Sequence, residues 1–232
     1  VFNLKAYAKE YDSQVVLREY TINQLKDDIL KDIYRCHPDV VCVSCYIWNI
    51  TFVRELMQDL RKILPDVPFW AGGPEVSYDA ETFLGKNPAF NGVMVGEGEE
   101  TFLELVKHYV DGSVTLEETR GLVYRKADGA LQNNGWRQLM DLSKVPFAYE
   151  NLEDFENRII YESNRGCPFS CSYCLSSIDK KLRFRDINLV KKELQFFLDH
   201  KVPQVKFVDR TFNCKHDHAM AIWQYIKDHD NG

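Results

Sequence analysis

Pro68-Phe69-Trp70-Ala71-Gly72-Gly73-Pro74 decides how the first half of this chain is read. The run from Pro68 to Ala71 is apolar throughout and ends abruptly in two glycines and a proline. An apolar run without polar alternation suits a strand buried on both faces, and Gly-Gly-Pro cannot continue it. Similar units lie on both sides. Asp39 to Tyr46 is a longer apolar run, followed by an amphipathic helix over Thr51 to Leu64 that stops at Pro65. Gly92 to Val95 is a third run, ending in Gly96-Glu97-Gly98-Glu99, and a helix from Thr101 to Val110 stops at Gly112. Upstream, residues 4–11 read as the back end of a helix, and Val15-Val16-Leu17 with Tyr20 as a strand. Asn23 to Arg35 places Leu25, Ile29, Leu30 and Ile33 on one helix face. This alternation predicts an α/β fold, a doubly wound parallel sheet over residues 1–112.

Ligands of such sheets sit beyond the carboxyl ends of the strands. Three stretches fall there: Ser44-Cys45-Tyr46, Gly72-Gly73-Pro74 and Gly96-Glu97-Gly98-Glu99. Glycines let backbone approach a ligand closely. They equally suit ordinary strand-to-helix turns, and glycines alone do not separate the two readings.

Residues 113–155 change character and read as a connector. Gly121 to Lys126 and Ala130 to Gln132 flank Asp128-Gly129, a hairpin signal. Met140 to Pro146 reads as an extended crossing segment, and 151–156 is polar. Trp136 and Tyr149 read as packing residues. From residue 156 a second segment begins. Arg158 to Glu162 reads as a strand, Leu189 to Leu198 as a helix, Val205 to Val208 as a strand and His216 to Lys227 as a helix. This βαβα order opens like a parallel β/α barrel, whose active sites lie where strands feed loops.

The loop after the first of these strands reads Asn164-Arg165-Gly166-Cys167-Pro168-Phe169-Ser170-Cys171-Ser172-Tyr173-Cys174. Cys167, Cys171 and Cys174 can hold three corners of a metal centre. A closed zinc site takes four protein ligands, and a closed iron–sulfur cluster usually four thiolates. Three therefore leave one metal position open. Zinc stays a rival if Cys214 or His216 closes the set, although only one Cys-x2-Cys pair is present. Cys36, Cys42 and Cys45 read as small core residues.

Bulk properties narrow the classes. The 232 residues are 45% hydrophobic, enough for a real core. No apolar run reaches the roughly 18 residues of a membrane helix, and the net charge of −6 offers no basic footprint for nucleic acid. Seven cysteines without an export signal lead us to expect a reducing compartment, the cytoplasm, and no disulfides.

Two blocks carry a family resemblance. Cobalamin-binding domains of this architecture carry Ser-x-Leu and, one helix and strand later, Gly-Gly. Here Ser44 begins the first, with Tyr46 for leucine, and Gly72-Gly73 supplies the second. The Cys-x3-Cys-x2-Cys loop resembles the signature of the radical S-adenosylmethionine (radical SAM) enzymes. Together they resemble cobalamin-binding-domain radical SAM proteins. The resemblance implies a Rossmann- or flavodoxin-like cobalamin domain, then the first two β/α units of a partial TIM-like barrel. It implies cobalamin at Ser44, Tyr46, Gly72, Gly73, Pro74, Gly96, Glu97, Gly98 and Glu99. It implies a [4Fe–4S] cluster on Cys167, Cys171 and Cys174, with S-adenosylmethionine on the open iron. Tyr173 fits the family's aromatic position, and Asp209 would meet the ligand's ammonium. Arg210 would pair with its carboxylate or with a protein glutamate.

The implied activity is reductive cleavage of S-adenosylmethionine leading to methylation of an unactivated carbon. Oxidative cyclisation of a porphyrin ester without net methyl transfer is the alternative, and a non-catalytic zinc-stapled module the third. A small-molecule or peptide substrate and an electron donor such as flavodoxin or ferredoxin are the expected partners. The family's Asp-x-His-x-x-Gly motif does not occur. We therefore expect a fragment that begins inside the first helix, carries two of the barrel's units, and is inactive alone. Residues 156–232 should be its less stable part.

Overall fold

The computed structural model of the chain describes residues 1–150, 159–177 and 181–231. The chain divides into two compact units, Val1–Leu139 and Met140–Gly232.

The first unit is built on a five-stranded sheet: β1 (Val41–Ser44), β2 (Phe69–Gly72), β3 (Gly92–Met94), β4 (Leu122–Arg125) and β5 (Leu131–Asn133), in that order across the sheet. The first three strands run parallel, with Val41 opposite Phe69 and Trp70 opposite Gly92. Helix α1 (Phe2–Tyr7) and a 3-10 turn (Lys9–Gln14) precede α2 (Lys26–Arg35). After β1 comes α3 (Ile50–Ile63), whose Val53, Leu56, Met57 and Leu60 are buried at helical spacing. Two short helices, α4 (Pro74–Ser77) and α5 (Ala80–Lys86), link β2 to β3, and α6 (Glu99–Val110) follows β3. One core cluster packs Val53, Met57 and Leu60 against Phe69, Ala71 and Val93. A second gathers Ala8, Trp70, Phe102 and Leu105. The α/β expectation therefore holds.

Several expectations need correction. The hairpin is no connector: β4 pairs antiparallel with β3, so the sheet is mixed and the first unit runs past residue 112 to 139. The reason is burial. Leu122, Val123 and Tyr124 are all buried, and such side chains need a sheet to cover them. Val15 to Leu17 forms no strand; Val15 packs against the second cluster without joining a ladder. Leu25 lies just before α2 and is 72% exposed, while Ile29 is the buried residue of that helix. Among the three presumed core cysteines only Cys45 is buried, and burial pushes its thiol up to about 12. Cys42 is exposed and Cys36 half-buried. The crossing segment 140–146 holds a 3-10 turn, Leu142–Lys144, where the Asp141 side chain accepts the Ser143 N–H.

The second unit holds β6 (Ile159–Tyr161), β7 (Asn164–Arg165), β8 (Arg183–Phe184), α7 (Ile187–Asp199), β9 (Val205–Phe207) and α8 (His216–His229). β6 and β9 are parallel neighbours, Ile159 opposite Val205, which gives the expected βαβα order. Asp186 caps α7 by accepting the N–H groups of Asn188 and Leu189. Ile159, Tyr161, Val190, Leu194, Phe197 and Ile222 form the core. Tyr149 joins it, and its hydroxyl donates to the Ile160 carbonyl. The polar stretch 151–156 and Arg158 lie outside the described residues.

Candidate functional site

The carboxyl ends of β1, β2 and β3 bring the three expected stretches of the first unit to one edge of the sheet. They meet through backbone. The Cys45 N–H donates to the Gly72 carbonyl at 2.7 Å, and the Glu75 N–H reaches the Cys45 carbonyl at 3.4 Å. Gly73 stands at φ +105, and a Cβ there would lie 2.5 Å from the Cys45 carbonyl oxygen. Only glycine fits this crossing. Gly72 differs, since a Cβ there would make ordinary contacts with Met94. Pro74 occupies the first turn of α4, where its missing N–H costs nothing.

Side chains fasten the same edge. Asn49 brackets the loop after β1: its amide donates to the Ser44 carbonyl and its oxygen accepts the Tyr46 N–H. Ser77 joins the other two turns, donating to the Gly73 carbonyl at 2.8 Å and accepting the Gly96 N–H at 3.2 Å. Ser44 is half-buried and Tyr46 exposed. Of the last stretch, Gly96 is exposed and Glu97 half-buried. Glu99 is buried at the start of α6, and Gly98 packs under Leu4. Glu99 is thus a packed residue, not an exposed one. Two aromatic pairs flank the Gly72-Gly73 turn in strand order. Tyr46 and Trp48 stack at 5.4 Å on the β1 side. Tyr78 and Trp136 meet at 5.3 Å, with Trp136 lying over Gly96 on the β3 side. Sequence reasoning missed Trp48, Ser77 and Tyr78, and read Trp136 only as packing.

This edge of the sheet thus has backbone-bonded turns, a glycine where two of them cross, and an aromatic pair on either side. Residues 1–106 match the family model of the B12 binding domain. Without a side chain at Gly73, the turns after β1 and β2 can cross in direct backbone contact.

In the second unit, the cysteine loop is closed at its neck by β7 and β8, Asn164 opposite Phe184 and Arg165 opposite Arg183. Gly166 turns the chain at φ +94, with the Lys181 carbonyl oxygen 2.2 Å from where a Cβ would stand. Two braces hold the neck. Asp209 accepts the N–H of Ser163 at 2.7 Å, the N–H of Asn164 at 2.9 Å and the Ser163 hydroxyl at 2.6 Å. Burial raises its carboxyl pKa, and those donors pull the other way. Arg185 forms a buried pair with Glu193, which also accepts the Tyr161 hydroxyl.

Cys167 is buried, Cys174 half-buried and Cys171 exposed, and the Cys174 N–H donates to the Cys171 carbonyl. The loop thus brings three thiols onto one bend, the donor chemistry that an iron–sulfur cluster requires. The side chains are not drawn into a ligand set: among the described residues no three His, Cys, Asp or Glu stand close enough to hold a metal ion. Cys214 and His216 do not join them. Sites of this kind are assembled by metal binding itself. Asn164 is fully buried at the neck, and neither polar atom of its amide has a protein partner. Tyr173 projects with 90% exposure. Arg210 is exposed. Asp209, expected to meet an ammonium, has three of its roughly four acceptor positions filled by protein.

Similarity extends past the B12-binding domain. The chain is 26% identical over 188 residues to 2-(S-pantetheinyl)-carbapenam-3-carboxylate methyltransferase of Streptantibioticus cattleyicolor, covering 75% of this chain and 28% of that protein. It is 26% identical over 232 residues to the cobalamin-dependent radical SAM methyltransferase TokK of Streptomyces tokunonensis, covering 90% and 33%. It is 22% identical over 203 residues to the anaerobic magnesium-protoporphyrin IX monomethyl ester cyclase of Cereibacter sphaeroides, covering 82% and 32%. The chain thus spans about a third of the length of these relatives. In fold it is similar to the cobalamin-dependent S-adenosylmethionine radical enzyme OxsB with aqua-cobalamin and S-adenosylmethionine bound. The TM-score is 0.74 at 18% identity, covering 98% of this chain and 34% of OxsB. No helix among the described residues is long and apolar enough to cross a membrane.

Proposed function

We propose that this chain belongs to a cobalamin-dependent radical S-adenosylmethionine methyltransferase that acts on an unactivated carbon. One observation carries the reading. A B12-binding domain is followed, in the same chain, by a Cys-x3-Cys-x2-Cys loop beyond the carboxyl end of β6 in a parallel βαβα unit. Similarity to named methyltransferases supports it.

Cys167, Cys171 and Cys174 would hold a [4Fe–4S] cluster and leave one iron for S-adenosylmethionine. When loaded, such a centre supplies one electron to the sulfonium C–S bond, chemistry that belongs to the cofactors. The protein's part is to bind and orient. Gly166 and the β7–β8 neck shape the loop, Asp209 holds its root, and exposed Tyr173 and Arg210 are available to the ligand. Ser44, Tyr46, Gly72, Gly73, Pro74, Gly96 and Glu97 would line the cobalamin cleft. A flavodoxin or ferredoxin would deliver the electron.

The test is product analysis of full-length protein given S-adenosylmethionine, cobalamin, a reductant and candidate small-molecule or peptide acceptors. The reading expects 5′-deoxyadenosine and S-adenosylhomocysteine together. Deoxyadenosine alone moves the assignment to the oxidative cyclase, which similarity to the porphyrin ester cyclase favours as second reading. Neither product overturns both.

A further inference from the structure

Trp136 lies thirty positions beyond the B12-binding match, which ends at residue 106. Its two chain neighbours are both anchored. The Gly135 carbonyl accepts the Gly121 N–H at 2.8 Å. Arg137 donates to the Thr101 hydroxyl at 2.8 Å and pairs with Glu100 and Glu104 of α6. Between these anchors the indole lies close enough to Gly96 that a Cβ there would sit 3.1 Å from the ring. Yet Trp136 stays 47% exposed, and its partner Tyr78 45%. A tryptophan held this firmly and left half uncovered has apolar surface to offer a ligand. Ser77 precedes Tyr78 and ties Gly96 to the Gly73 turn, so this aromatic pair belongs to the same edge as the cleft.

We propose that Trp136 is a cobalamin-contact residue. With Tyr78 it walls the cleft on the β3 side, as the Tyr46–Trp48 stack does on the β1 side. The inference rests on the cobalamin reading of this cleft. It adds a wall from the segment after the hairpin, so the hairpin's place in the sheet has a use in binding as well as in packing.

The test uses the chain itself. Hydroxocobalamin is titrated by absorbance into wild type, Trp136→Ala, Trp136→Phe and, as a control from the other unit, Trp223→Phe. Loss of the indole should weaken binding about tenfold, phenylalanine should restore most of it, and the control should bind as wild type. Hydroxyl-radical footprinting of wild type gives an answer independent of any variant's folding. Bound cobalamin should cut oxidation of Trp136 several-fold and leave Trp223 unchanged. Unaltered affinity in Trp136→Ala, or unaltered oxidation of Trp136 in the loaded protein, overturns the inference and leaves the cobalamin reading standing. A wild-type chain that binds no hydroxocobalamin overturns both.

Discussion

Asp209 grips Ser163 twice, taking its N–H at 2.7 Å on one carboxylate oxygen and its hydroxyl at 2.6 Å on the other. The end of β9 is thereby tied to the turn from which the cysteine loop departs. Removing the carboxylate strands two backbone donors and a hydroxyl in a part-buried place. Asp209→Ala should destabilise the second unit by about 2–4 kcal/mol and lower iron retention after anaerobic reconstitution. Urea denaturation and iron analysis read the two effects. If stability and iron are unchanged while affinity for S-adenosylmethionine drops, Asp209 is a ligand contact and not a brace.

The two glycines after β2 should behave differently. A methyl group at Gly73 would meet the Cys45 backbone, which no rotamer change relieves, and φ +105 adds strain. Gly73→Ala should cost about 1–3 kcal/mol from conformation alone, with further loss from the clash, and abolish cobalamin binding. Gly72→Ala, facing Met94 at ordinary contact distance, should stay within about 1 kcal/mol of wild type. Equal tolerance at both positions would contradict the crossing described above.

Acid should loosen the pairing of α2 with α3. Lys26 and, less strongly, Lys62 hold the Asp59 carboxyl at about 2, below its ordinary 3.8. In that window the native state binds fewer protons than the unfolded chain, so stability rises with pH there. The contribution is present above 3.8 and is lost as pH falls toward 2. Asp59→Asn should therefore flatten the acid limb of a plot of urea midpoint against pH. A limb as steep as that of wild type would place the acid sensitivity elsewhere.

What could be read from sequence follows from the range of the forces involved. Phe69 to Gly72 was legible because an apolar run ended by Gly-Gly-Pro is a local signal. The three cysteines drew attention because their spacing is itself a local signal. β7 and β8 hold two residues each, too short for any periodicity. Their pairing is a long-range event across the loop. Asp209 was placed at the right strand end, but its donors lie more than forty positions upstream, out of reach of local pattern. Trp136 was read only as a packing residue, yet it stays 47% exposed. That its partner is Gly96 depends on the hairpin docking against β3, which the apolar Leu122-Val123-Tyr124 run alone could have suggested.

The central claim is that three thiolates on one bend hold an iron–sulfur cluster with an open position. Mössbauer spectroscopy with iron and sulfide analysis of anaerobically reconstituted protein tests it most directly, beside a variant carrying Cys167→Ala, Cys171→Ala and Cys174→Ala together. The account predicts about four irons per chain, one of them changed by adding S-adenosylmethionine, and none bound by the variant. Colourless protein holding zinc, or a variant that keeps the wild-type iron, would contradict it.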